Sequence, residues 1–85
     1  MMSFVEDGSR PFDYVERLQD GPDGFEARIV RIAAGLPFDA TVIMPLEAVP
    51  ADTADAEPVG DHAVLHHATP DLAAAEDWVL AWANR

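Results

Sequence analysis

Two clusters of turn residues divide the first half of the chain into short segments. DGPDG (20–24) and AAGLP (33–37) both combine glycine and proline, which favour the backbone angles of tight turns. The flanking segments 12–18, 25–32 and 38–46 hold apolar and β-branched residues in the patterns of strands. Because antiparallel neighbours need only a short connection, this spacing predicts consecutive antiparallel strands.

Two of these segments have a clear strand pattern. In FEARIVRI (25–32), the apolar Ala27 and Ile29 alternate with charged side chains, as in a strand with one buried face. FDATVIMPL (38–46) is rich in β-branched residues. Proline has no N–H for the ladder of hydrogen bonds, so Pro45 limits this strand to an edge of the sheet or places the proline at the strand's end.

The segment FDYVERL (12–18) fits two patterns. Tyr14 and Leu18 fall on one face at a period of two, which favours a strand. The alternative is a short helix capped by Ser9, with Val15 and Leu18 on one stripe. The sequence alone leaves both possibilities open.

The C-terminal segment predicts a helix that begins near residue 70 and ends near residue 84. Thr69 fits the cap position, Pro70 fits the first helical position, and Asp71 complements the positive end of the helix dipole. One stripe at spacings of three and four holds the apolar residues Leu72, Ala75, Val79, Trp82 and Ala83, flanked by Trp78. We therefore expect a single α+β domain over residues 1–85, an antiparallel β-meander of three or four strands covered by one C-terminal helix.

A long acidic loop is predicted between the third and last strands. Residues 47–61 contain five acids, two prolines and one glycine, a composition with too little apolar surface to order itself. Loops of this length in compact domains are usually functional or mobile, which makes this one a candidate site. HAVLHHA (62–68), bracketed by Gly60 and Pro70, is the predicted last strand.

Charge is the most unusual property of the composition. The chain has 85 residues, with 16 acidic against 5 basic side chains and a formal net charge of -11. This charge opposes direct binding to nucleic acid or to anionic lipid. No apolar run approaches the roughly 18 residues of a membrane helix, and the first seven residues contain two acids where a signal peptide has basic residues. We expect a cytoplasmic protein that does not bind membranes.

Residues for catalysis or metal binding are scarce. The chain has no cysteine and no lysine, its serines are at positions 3 and 9, and it has no phosphate-binding loop. In a strand, His62 and His66 share a face but lie about 13 Å apart, while His67 points the other way, so the three cannot bind one metal ion. A domain of this size also has little volume for a pocket of several hundred Å³. We therefore predict no catalytic residue, no metal site and no cofactor.

The acidic residues concentrate around the first hairpin and in the long loop. The candidate partner-binding residues are Glu16, Asp20, Asp23, Glu26, Asp52, Asp55, Glu57 and Asp61. Carboxylates two residues apart in an extended chain lie about 6.6 Å from each other, a spacing comparable to that of neighbouring phosphates. The pattern predicts a protein partner with a basic, nucleic-acid-binding surface. Solubility or adaptation to salt would also explain the charge.

By size, charge and α+β plan, the chain resembles the small acidic inhibitors carried by phages and mobile elements, notably anti-CRISPR proteins and other DNA mimics. No motif contributes to this resemblance. Antitoxins and immunity proteins use charge in the same way, because they cover basic nucleases. The resemblance implies a non-enzymatic inhibitor that occupies a partner's basic surface. The alternative is a small structural or assembly protein that associates, for example as a homo-oligomer, through an apolar sheet or helix face.

Overall fold

The structure, a computed structural model, describes residues 1–8 and 11–85. They form one six-stranded antiparallel sheet and one α-helix. In chain order the elements are β1 (Ser3–Glu6), β2 (Tyr14–Gln19), β3 (Glu26–Arg31), β4 (Phe38–Pro45), a 3-10 turn (Leu46–Ala48), β5 (Glu57–Val59), β6 (His62–Thr69) and α1 (Leu72–Ala83). The spatial order is β1-β2-β3-β4-β6-β5, so β6 pairs with β4 and β5 forms the outer edge.

The α+β class is confirmed, but the sheet has six strands where three or four were predicted. The first additional strand is β1, which pairs with β2. The second is β5, which pairs with β6 and lies inside the segment 47–61 that was expected to have no structure of its own. All three residues of β5 are exposed. That expectation was wrong because backbone pairing with an existing strand orders a short segment without burial of its side chains.

Most of the segment 12–18 forms a strand, as the period-two pattern favoured, although the strand begins at Tyr14 and extends to Gln19. Within β2, Tyr14 pairs with Arg31 and Arg17 pairs with Arg28 on β3. Ser9, the candidate cap of the alternative helix, lies outside the described residues. In β4, Pro45 is the last residue of a central strand, so the expectation of a strand end is confirmed.

The helix begins two residues later than predicted. Asp71 is the N-cap, because its Oδ1 accepts a hydrogen bond from the Ala73 N–H at 3.2 Å. Thr69, the predicted cap, is still the last residue of β6 and pairs with Phe38 across the sheet. Its Oγ1 accepts from the Asp71 N–H at 3.4 Å, so the threonine supports the turn that precedes the helix.

The core lies between α1 and one face of the sheet. The largest fully buried side chains are Ile29, Val42, Leu65 and Val79, one each from β3, β4, β6 and the helix. Burial of each contributes about 1.5–3 kcal/mol. Trp78 and Trp82 are half-buried and pack against this core, as the predicted stripe requires.

On the other face of the sheet, no second layer of secondary structure is formed by the described residues. We call this the open face, and by strand register it contains both apolar and charged side chains. Val15 on it is buried, whereas Val5, Val30, Ile43 and Val64 are half-buried. The open face also presents Arg17, Arg28 and His66, all of them exposed.

Candidate functional site

One end of the sheet collects acidic side chains from three separate parts of the chain. The strand directions bring the β2–β3 loop, the end of β4 with its 3-10 turn, and the β5–β6 turn to this end. The Leu46 N–H donates to the Asp61 carbonyl oxygen at 2.9 Å, which joins the last two. We call this region the acidic end, and define it by Asp20, Asp23, Glu26, Glu47 and Asp61, which are all exposed.

Two surface depressions divide the acidic end, with His62 on the border of both. A depression of about 390 Å³ is lined by residues that include Asp23, Glu26 and His62. A larger one of about 580 Å³ is lined by residues that include Glu47, Asp61 and His62. Both are open depressions of the surface at this end of the sheet.

The carboxylates of the acidic end have no basic partner among the described residues. The ion pair that the described chain contains joins Asp13 and Arg31, with Oδ2 and Nη2 2.6 Å apart. Arg85 reaches the acidic end and lines a depression together with Asp23. Its guanidinium carbon lies 4.8 Å from the centre of the Trp82 ring, a cation–π distance. The acidic end therefore presents carboxylates that are available to an external cation.

Three of the predicted partner-binding residues lie away from the acidic end. Asp52 and Asp55 are exposed on the loop that leads into β5, and Glu57 is exposed at the start of that edge strand, opposite Val64. None of the three lines the two depressions of the acidic end. The long loop is thus a second acidic region, held to the domain by Val49 and Ala56, which pack against the core.

Glu16 does not belong to any partner-binding surface, which corrects the prediction made for it. Its register opposite Ile29 turns the side chain toward the helix, and the residue is only 3% exposed. The Tyr14 hydroxyl donates to Glu16 Oε2 at 2.8 Å. Within the described part of the chain, Oε1 has no hydrogen-bond partner. A carboxyl group buried in this way cannot meet another protein.

The surroundings of Glu16 favour its protonated form. The pKa of Glu16 is raised to about 7, mostly by burial and next by the neighbouring Glu76 carboxyl on α1. The negative charges of Glu76 and of Glu6, which lies directly opposite on β1, act in the same direction, while donation by Tyr14 opposes them. Burial and the contact with Glu16 also raise the pKa of the Tyr14 hydroxyl well above its ordinary value.

The histidines have the geometry that the strand register predicted. His62 and His66 lie on the open face, and His67 lies on the helix side, stacked on Trp78 with ring centres 5.2 Å apart. Residues 1–8 and 11–85 contain no group of three or more His, Cys, Asp or Glu side chains placed to bind a metal ion.

The helix α1 has 12 residues, and no helix in the described part of the chain has the length and hydrophobicity to cross a membrane.

Glu47 is the residue of the acidic end that sequence reasoning missed. It was assigned to the long loop without a position, although the strand predicted over 38–46 ends immediately before it. After the 20–24 turn, β3 leads away from this end of the sheet and the antiparallel β4 leads back to it. The strand directions could therefore have placed Glu47 at the same end of the sheet as Asp23.

Comparison with known proteins adds no relative: no protein-family model matches the chain, and no curated protein or solved structure matches it either.

Proposed function

We propose that this protein is a non-enzymatic binding protein that uses its acidic end to occupy a basic, nucleic-acid-binding surface of a partner protein, in the manner of DNA-mimicking inhibitors. The observation that carries the proposal is the convergence of five carboxylates from three separate parts of the chain on one end of the sheet, without basic partners among the described residues. A net charge of -11 adds long-range attraction toward such a surface.

The geometry suits cationic side chains that otherwise contact phosphates. Glu47 and Asp61 line one depression, so a partner's arginine or lysine that enters it meets two carboxylates. Asp23 and Glu26 offer a second pair on the other side of His62. Because these groups are exposed, the attraction is screened by salt, with a Debye length of about 8 Å at physiological ionic strength.

The proposal is tested by capture of partners from the host lysate with the tagged protein, at low and at high salt. Two charge-matched variants are compared with the native chain. The first is Glu47→Gln with Asp61→Asn, at the acidic end, and the control is Asp52→Asn with Asp55→Asn, in the loop. Both variants remove two negative charges, so long-range electrostatics change equally.

We expect a nucleic-acid-binding protein that is captured at low salt, lost at high salt and displaced by double-stranded DNA. The acidic-end variant should weaken this capture about tenfold or more, whereas the loop control should change it much less. Equal weakening by both variants would show that only net charge matters. Capture of no nucleic-acid-binding protein that DNA displaces would refute the proposed function.

The second candidate, assembly through an apolar sheet or helix face, has less support from the geometry. On the helix side, Trp78 and Trp82 pack against the core of the same molecule. On the open face, the exposed Arg17 and Arg28 interrupt the apolar residues. Sedimentation at several protein concentrations tests this candidate, because an apolar homo-oligomer would persist in high salt.

A further inference from the structure

The open face has a row of cationic and hydrogen-bonding side chains across its middle. By register, Arg17 on β2 lies opposite Arg28 on β3, Arg28 opposite Thr41 on β4, and Thr41 opposite His66 on β6. We call these four residues the arginine row. Side chains directly opposite on antiparallel strands have Cβ atoms about 5 Å apart, so adjacent members of the row are close enough to bind one ligand.

The pairing of Arg17 with Arg28 needs an explanation. Like charges that lie directly opposite in a sheet are destabilising. The chain has 16 acidic side chains that could neutralise them, yet in the described residues neither guanidinium has a carboxylate within ion-pair distance. Glu26, two residues before Arg28, is the nearest acid along β3, and Asp39 and Glu57 lie in other rows of this face. The two positive charges are therefore available to a ligand.

The row already contains one ordered hydrogen bond. Thr41 Oγ1 and His66 Nδ1 lie 3.1 Å apart. When the Thr41 hydroxyl donates to Nδ1, the proton of the neutral imidazole is on Nε2, which then becomes a further donor. The row thus combines two guanidinium groups with an imidazole whose orientation is fixed by its neighbour.

The depression beside the row has the size of a small-molecule site. It has a volume of about 390 Å³, and Phe25 and Ile43 form part of its wall next to Arg17, Arg28 and Thr41. Two adjacent guanidinium groups match the charge of a dianion and can each bind two of its oxygens. A phosphate monoester presents three terminal oxygens to the two guanidinium groups, whereas a carboxylate presents two. We infer that Arg17 and Arg28 of the arginine row bind the phosphate group of a small phosphate monoester, with Phe25 and Ile43 in contact with its apolar or aromatic part.

This site adjoins the acidic end, because Phe25, Glu26 and Ile43 line a depression of each, but the inference does not depend on the proposed function. The test is a titration of the native protein with phenyl phosphate and with inorganic phosphate at low salt, monitored by NMR of the arginine side-chain Nε–H groups. We expect saturable shifts for Arg17 and Arg28, with a dissociation constant below about 1 mM for phenyl phosphate. Weaker binding of inorganic phosphate would show the contribution of the apolar wall.

Three variants locate the binding. Arg17→Gln with Arg28→Gln should lose about tenfold or more in affinity, and Arg28→Lys should lose part of it, because it retains the charge but not the planar fork. Arg85→Gln removes the same type of charge elsewhere and should bind like the native protein. Absence of saturable shifts in the native protein would overturn the inference, as would equal loss in Arg85→Gln. Retained dispersion of the sheet amides shows that each variant is folded.

Discussion

Replacement of Glu16 by glutamine should stabilise this protein at alkaline pH and change its pH dependence. Glu16 is 3% exposed, and burial together with the adjacent Glu76 raises its pKa to about 7 from an ordinary value of 4.5. Glutamine has the shape of the protonated acid. Its carbonyl oxygen can accept from the Tyr14 hydroxyl, and its amide can donate toward Glu76.

The sign of the effect follows from the protons bound in each state. Between pH 4.5 and about 7 the folded protein holds a proton on Glu16 that the unfolded chain has lost, so the stability contributed by this group falls as the pH rises through that range. The full difference corresponds to about 3 kcal/mol above pH 7, at about 1.36 kcal/mol for each unit of pKa. Because other groups also titrate in this range, the quantity to measure is the difference in the free energy of unfolding between the native protein and the variant at each pH.

Urea unfolding followed by tryptophan fluorescence at several pH values from 5 to 8 measures this difference. Glu16→Gln should be about 2–3 kcal/mol more stable than the native protein at pH 8 and within about 1 kcal/mol of it at pH 5. Glu26→Gln, which removes a charge from the open face, controls for the change in net charge. A constant difference over the whole range, or a less stable variant at pH 8, would refute the assignment of a protonated buried carboxyl.

Two further predictions concern the helix. Trp78→Ala and Trp82→Ala should each lower the free energy of unfolding by about 3 kcal/mol, because both rings pack against the core; denaturation midpoints equal to that of the native protein would contradict this. Asp71→Ala should cost about 1 kcal/mol by removal of the N-cap hydrogen bond, with Asp77→Ala as the control on the same helix, and an equal loss in both would show that the cap adds nothing.

The local pattern of the sequence was sufficient for the central elements. Alternation in 25–32 and 38–46 predicts the two central strands, and the spacing of Ala75 and Val79 predicts the buried side of the helix. In both cases the buried side chains repeat with the period of the element. The outer strands have no such signal, because β5 exposes all three of its residues and is ordered by backbone hydrogen bonds to β6.

The candidate site depends on register, which a single sequence specifies weakly. Glu16 and Glu26 are both acids in predicted strands, yet the pairing places one under the helix and the other on the open face. A shift of one residue in the pairing of a strand would turn its side chains to the opposite face of the sheet. Likewise, the Arg17–Arg28 pair exists only because the β2–β3 loop sets those two residues opposite each other.

The two edges of the sheet have consequences for aggregation. An exposed edge with free N–H and C=O groups can template the addition of strands from other molecules, the first step toward cross-β fibrils. Here β5 offers three residues, and Pro58 at its middle has no N–H to donate. At the opposite edge, β1 has four residues and ends in Glu6, so its charge repels a copy of the same strand. Both edges therefore limit growth of the sheet beyond one molecule, even when the protein is concentrated.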